Sequence, residues 1–105
     1  MIALLPLGED RFFIRKDGRH AGGITLHSVT KSAFSYGIAV APEMRRQGVA
    51  KEALSLLFDQ MKKRGFQTAL VQVKKENAPS LRLHASLGFI QAKEEDGIVT
   101  LSKTL

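Results

Sequence analysis

Ile38-Ala39-Val40-Ala41-Pro42-Glu43-Met44-Arg45-Arg46-Gln47-Gly48-Val49-Ala50 is the stretch on which the fold turns. It opens as the end of a β-type run, Ala33 to Val40, and Pro42 stops that run because proline has no N–H to give a central ladder. Beyond it, Val49, Ala53, Leu56, Leu57 and Met61 recur at three- and four-residue steps. That spacing predicts a helix from Val49 to Arg64 with one buried face, ended at Gly65. Between strand and helix, Gly48 removes a side chain where the backbone must approach something closely, and Ala50 keeps the next turn small. The first N–H groups of a helix lack internal partners and carry partial positive charge, so a phosphate there meets several donors at once. Arg45, Arg46 and Lys51 set mobile cations around the same point. The arrangement suits a pyrophosphate; an ordinary basic surface loop containing a glycine would carry the same letters.

Outward from this stretch, Ile2 to Leu5 reads as a short strand. Arg11 to Arg15 and Gly23 to Val29 are β-type runs, and Asp17-Gly18 between them signals a hairpin turn. After the long helix come a β-rich run, Thr68 to Val73, and a helical stretch from about Ser80 to Leu87 closed by Gly88. Phe89 to Lys93 and Ile98 to Thr104 form another predicted hairpin about Asp96-Gly97. Strands mixed with two helices predict an α/β (α+β) fold, a sheet covered by helices, and residues 1–105 read as a single domain.

Of the 105 residues, 44% are hydrophobic and 25% charged, enough for one modest core and too few for a second. Lys and Arg total 16 against 10 acidic residues, and the net charge of +6 favours an anionic partner: a phosphorylated cofactor, nucleic acid or an acidic surface. Without cysteine there is no disulfide, thiolate nucleophile or thiolate-bound zinc, and three scattered histidines predict no metal site. The apolar start Ile2 to Leu7 is short and contains Pro6, so neither a signal-peptide core nor a membrane span is expected. A cytoplasmic protein with no membrane partner is the expectation. Arg45-Arg46, Lys62-Lys63-Arg64 and Lys74-Lys75 keep a nucleic-acid binder open as an alternative, although such clusters also occur as solvated ends of helices and strands.

From Ala33 to Leu105 the chain resembles the GNAT superfamily of N-acetyltransferases. Ile38 to Ala50 looks like that family's strand-plus-loop signature, in which Gln or Arg, two residues, Gly, one residue, then Gly or Ala bind the CoA pyrophosphate; Arg45, Gly48 and Ala50 fill those places. Asn77-Ala78-Pro79-Ser80-Leu81-Arg82-Leu83-His84-Ala85-Ser86-Leu87-Gly88-Phe89 resembles a second signature, with Asn77, Gly88 and Phe89 matching and His84 where Tyr is usual. The resemblance implies the GNAT fold: a mixed, mostly antiparallel sheet, a long helix after the central strand and a second helix towards the C-terminus. It implies transfer of an acetyl group from acetyl-CoA to a primary amine. It places Arg45, Arg46, Gln47, Gly48, Val49, Ala50 and Lys51 around the pyrophosphate. Ile38, Ala39 and Val40 would run beside the pantetheine arm where the next strand splays away, with the Val40 N–H facing the thioester oxygen. Asn77 would lie beside the cofactor arm, or act as a turn former.

Three departures from the family pattern matter. His84 inherits the place of the Tyr that protonates the departing thiolate, so it is the candidate catalytic acid; alternatively it fills the Tyr volume without chemistry. Gln72 stands where several relatives carry a basic Glu, and it takes no proton at neutral pH. Deprotonation of the amine then falls to water, His27 or solvent, which suits an α-amino group better than a lysine. Finally, only Pro6 to Asp10 separates the first two strands, where relatives insert two helices. An open acceptor side is expected, suited to a flexible peptide or completed by a second subunit in a homodimer. A non-catalytic acyl-CoA-binding module is the alternative to an enzyme.

Overall fold

In the computed structural model, which describes residues 1–105, β1 (Ile2–Pro6) and β2 (Arg11–Lys16) pair antiparallel across the short loop that contains Gly8. No helix lies between them. Asp17 and Gly18, at φ 51° and 80°, make the tight turn into β3 (Arg19–Val29), and β4 (Ala33–Val40) follows antiparallel to it. A single 3-10 turn, Pro42–Met44, leads to α1 (Val49–Lys63), whose crossover lets β5 (Thr68–Lys74) lie parallel to β4. After α2 (Ala78–Ser86), β6 (Ile90–Glu95) and β7 (Ile98–Thr104) close a seven-stranded sheet of order β1-β2-β3-β4-β5-β7-β6. β4–β5 is its one parallel pair. The predicted mixed, mostly antiparallel sheet with a long helix after the central strand is the fold observed.

Both helices pack on one face of the sheet. Phe12, Ile14, Ile24, Leu26, Phe34, Tyr36, Ala69, Val71, Val73, Val99 and Leu101 are buried there, alternating along their strands with exposed or half-exposed neighbours. Helix α1 answers with Val49, Ala53, Leu54, Leu57, Phe58 and Met61, so its buried face is turned slightly from the predicted one: Leu54 and Phe58 join it, and Leu56 is only half-buried. An aromatic cluster then ties the layers together. Phe34 and Tyr36 of the sheet meet Phe58 of α1, which meets Phe89 after α2 at 5.7 Å between ring centroids. The opposite face of the sheet carries Phe13, Thr25, His27, Ser35, Leu70, Gln72 and Thr100, with no helix over it.

Most ends shift by a residue and β6 runs on to Glu95 rather than Lys93, but two starts differ from expectation by more than one residue. β3 begins at Arg19, not Gly23, because the sheet pairs Gly22 and Gly23 with Val40 and Ala39 although neither glycine has a side chain to signal a strand. Helix α2 begins at Ala78 rather than Ser80. Asn77 caps it by accepting a hydrogen bond from the Ser80 N–H at 3.3 Å, and Pro79 sits in the first turn, where no N–H is required.

Candidate active site

The parallel pair that makes the site is short. β4 and β5 are in register only at Ala33–Thr68, Phe34–Ala69 and Ser35–Leu70. Past Ser35 they diverge, β4 staying with β3 and β5 with β7, so a wedge opens along Tyr36 to Val40. The Ala41 N–H donates to the Ala21 carbonyl at 2.7 Å, on the β3 side. By strand alternation the Ile38 and Val40 main-chain groups then point away from β3, into the wedge. Ile38 and Val40 are half-buried and Ala39 is exposed.

The loop after β4 meets that wedge. Arg45 Nε donates to the Val40 carbonyl at 3.3 Å, folding its guanidinium back over the strand end. Arg46 has φ 63°, in the left-handed region that a bulky side chain rarely occupies. Gly48, at φ 76°, is the residue immediately before α1, and a β-carbon there would touch nothing within 4 Å. The space in front of the helix is therefore open, and the glycine serves the left-handed turn as well. The first bond inside α1 runs from the Glu52 N–H to the Gly48 carbonyl. The N–H groups of Val49, Ala50 and Lys51 are left pointing out of the helix start. Val40, Met44, Arg45, Arg46, Gly48, Val49, Ala50 and Lys51, with Pro79 and Leu83 of α2, line a cleft of about 310 Å³. Orphan N–H groups, open space and three cations fit a diphosphate.

Residues 4–89 match the family model described as the acetyltransferase (GNAT) family. The chain belongs to the GNAT family. The [ribosomal protein bS18]-alanine N-acetyltransferase of Escherichia coli (strain K12) is 35% identical over 81 residues, covering 77% of this chain and 55% of that protein. The chain thus spans about half the length of the curated relatives it matches. The crystal structure of the ribosomal-protein-S18-alanine N-acetyltransferase from Escherichia coli superposes with a TM-score of 0.80 at 28% identity, covering 93% of this chain and 71% of that one. A Campylobacter jejuni N-acetyltransferase, solved in complex with acetyl coenzyme A, shares the fold with a TM-score of 0.76 at 20% identity, covering 90% of this chain and 66% of that one.

Within this GNAT fold, the remaining expected site residues fall in distinct environments. Gln47 has its side chain engaged in the scaffold: Lys16 Nζ donates to its Oε1 at 2.6 Å, and its Nε2 donates to the Glu43 carbonyl at 3.2 Å. Asn77 spends its Oδ1 on the α2 cap, and its Nδ2 has no protein acceptor. His84 lies deeper than a half-buried helix position, at 1% exposure. Its Nδ1 is 2.8 Å from the Ser80 carbonyl, an acceptor only, so Nδ1 carries the hydrogen. The lone pair of Nε2 then accepts from the Tyr36 hydroxyl at 2.8 Å. Burial lowers the His84 pKa, with the bond to Ser80 acting in the other direction, and burial likewise raises that of Tyr36. Tyr36, at 2% exposure, is a partner that sequence reading missed, because nothing in the β4 run distinguishes it from a core aromatic.

A second cleft opens on the helix-free face. It measures about 460 Å³ and includes His27, Ser28 and Thr30, the β4 residues Ser35 to Gly37, and Leu70, Gln72 and Thr100 across the wedge. Gln72 is exposed there on β5. Tyr36 and Gly37 follow directly on Ser35, the last residue of β4 paired to β5, so this cleft starts where the wedge does.

Proposed function

We propose that the chain acts as one acetyl-CoA-binding domain, residues 1–105, that acetylates a primary amine by direct attack in a ternary complex. With no cysteine in the chain, a thiol-borne acyl-enzyme has no residue to form on. The observation that carries the reading is the helix start: Val49, Ala50 and Lys51 N–H groups behind Gly48, with Arg45 and Arg46 beside them, opening onto the β4–β5 wedge. The diphosphate sits at that helix start, the Gln47 main chain borders it, and Ile38, Ala39 and Val40 run beside the pantetheine arm. The Val40 N–H receives charge that develops on the thioester oxygen. Asn77 offers its unused Nδ2 to the arm. The acceptor enters from the helix-free face. No carboxylate lines the cleft there, so a polycationic amine finds no counter-charge, whereas the N-terminal amine of a peptide needs none. Similarity to ribosomal-protein-alanine N-acetyltransferases supports the same acceptor class, and the cytoplasm as its place.

His84 is the proposed acid, reached through Tyr36. With a proton on both ring nitrogens, His84 donates from Nε2 to Tyr36 Oη, which frees the Tyr36 hydroxyl hydrogen for the departing sulfur. As that hydrogen leaves, the Nε2 proton replaces it. Burial makes the cationic form scarce and correspondingly acidic. A non-catalytic acyl-CoA-binding module is the second reading, favoured by Gln72 in place of a carboxylate beside the wedge.

Mass spectrometry of a panel of peptides, polyamines and small amines incubated with acetyl-CoA distinguishes these readings. N-terminal acetylation is expected from the unaltered chain, and Gly48→Glu should abolish it by setting a carboxylate against the phosphates. Acetyl-CoA binding without transfer to any acceptor selects the binding module. No saturation with acetyl-CoA at millimolar concentration overturns both.

A further inference from the structure

We infer that His27 is the general base that deprotonates the acceptor amine, an assignment that rests on the acetyltransferase reading above. Three observations converge on it. First, β3 and β4 pair Leu26 with Tyr36 and Ser28 with Ser35, so His27 is the extra residue of a β-bulge. A bulge re-aims the side chain it carries, at the expense of a regular ladder. Second, the re-aimed imidazole lies over Gly37: a β-carbon at position 37 would stand 2.6 Å from His27 Nε2. Glycine at that position of β4 is what lets the ring reach the strand beside the wedge. Third, His27 is the one exposed titratable side chain in the cleft on the helix-free face; Tyr36, the other titratable residue there, is buried. Gln72, facing the cleft from β5, can hydrogen-bond an amine but cannot take its proton.

The groups around His27 leave it available. No protein hydrogen bond engages either ring nitrogen, and no carboxylate or cation lines its cleft. On the β2 side, Arg11 opposes Thr25, and Asp10 is linked to β3 through its carbonyl, which accepts from the Leu26 N–H at 2.7 Å. On the β5 side, Lys74 lies two residues beyond Gln72. Histidine is the side chain whose charge change falls closest to neutral pH, which suits a base for an α-amine.

His27 Nε2 takes one proton from the acceptor ammonium. The neutral nitrogen adds to the thioester carbon, forming C–N; the C–S bond breaks and its electron pair leaves on sulfur. The adduct sheds its second N–H proton to water while the Tyr36–His84 pair delivers one to the thiolate; His84 regains that proton from solvent, and His27 releases its own to solvent. The products are an acetamide, CoA thiol and one proton.

The test uses the full chain with acetyl-CoA and a peptide bearing a free N-terminal alanine. His27→Gln is expected to lower kcat at pH 7 by about 10²-fold. It should flatten the acid limb of the pH–rate profile and leave the calorimetric Kd for acetyl-CoA within about twofold. Gly37→Ala keeps the imidazole but evicts it from the strand, and should reproduce the loss. His27→Ala should regain activity with added imidazole, a rescue that a purely structural role would not give. His27→Gln with turnover within twofold of the unaltered chain, or an unchanged acid limb, overturns the assignment while leaving the acetyltransferase reading standing. An unaltered chain that binds acetyl-CoA but acetylates no acceptor overturns both.

Discussion

Arg46 and Gly48 both sit in left-handed backbone, at φ 63° and 76°, but for different reasons. At Gly48 the chain must turn into α1, and glycine does so without a steric penalty. At Arg46 an ordinary side chain bears a cost of about 1–2 kcal/mol to hold a guanidinium in front of the helix start. Strain of that kind collects at binding sites and is retained when the residue's charge is used there. Arg46→Gly should therefore move two measurements in opposite directions. Relief of strain, less the extra freedom of about 0.5–1 kcal/mol that glycine gives the unfolded chain, should raise stability by up to about 1.5 kcal/mol in urea melts. If the helix start holds the diphosphate as proposed, calorimetry should show acetyl-CoA binding several-fold more weakly, because one of the cations lining that cleft is gone. A destabilised variant would mean the Arg46 side chain is held by packing instead. Sequence reading identified both residues as cofactor candidates from the motif and the charges. The left-handed geometry of Arg46 was not legible, since arginine carries no propensity for it.

At the scale of elements, α1 shows what periodicity can and cannot fix. Steps of three and four residues from Val49 to Met61 mark a helix, but Leu56 and Leu57 both fit an apolar stripe and only the sheet decides between them. Leu57 is fully buried and Leu56 is half-buried. Leu57→Ala should cost about 2–5 kcal/mol, as for a core leucine leaving a cavity, while Leu56→Ala should cost well under half as much. Equal losses would put the buried face where the apolar spacing alone had set it. The same limit hid the first part of β3. At Gly22, φ is 156° and a β-carbon would lie 2.1 Å from the Ala39 carbonyl oxygen, so the sheet requires glycine at that point of close approach. Such a residue contributes nothing to an alternating pattern. The bulge at His27 was equally silent: bulges are set by pairing partners, and a sequence read one strand at a time does not contain them.

Taken as a whole, the molecule is one helical layer on a seven-stranded sheet, and both candidate clefts open beside the wedge in that sheet. That the loop between β1 and β2 has no room for helices was countable from Pro6 to Asp10. Which face this leaves bare, and that His27 and Gln72 stand on it, required the strand order and register. The covered face has its own consequence for pH. His84 is buried there as a neutral imidazole, with its pKa lowered by burial from 6.5, and its Nε2 accepts from Tyr36. Above about pH 6.5 the side chain is uncharged in both folded and unfolded chains and contributes no pH dependence. As pH falls below that value the unfolded chain takes up a proton that the folded chain refuses, so stability declines by up to about 1.4 kcal/mol per pH unit until the lowered folded pKa is reached. Tyr36 acts in mirror image, since its pKa is raised by burial and only the unfolded phenol ionises as pH climbs past 10.0. Denaturant melts between pH 7.5 and about 5, compared for the native chain and His84→Phe, isolate the imidazole. The variant starts lower because the Tyr36 hydroxyl loses its acceptor in a buried site, a penalty of about 1–3 kcal/mol. Its curve should nonetheless stay flatter than the native one as the pH drops below 6.5, and two parallel curves would show that His84 is protonated in the folded chain as readily as in the unfolded.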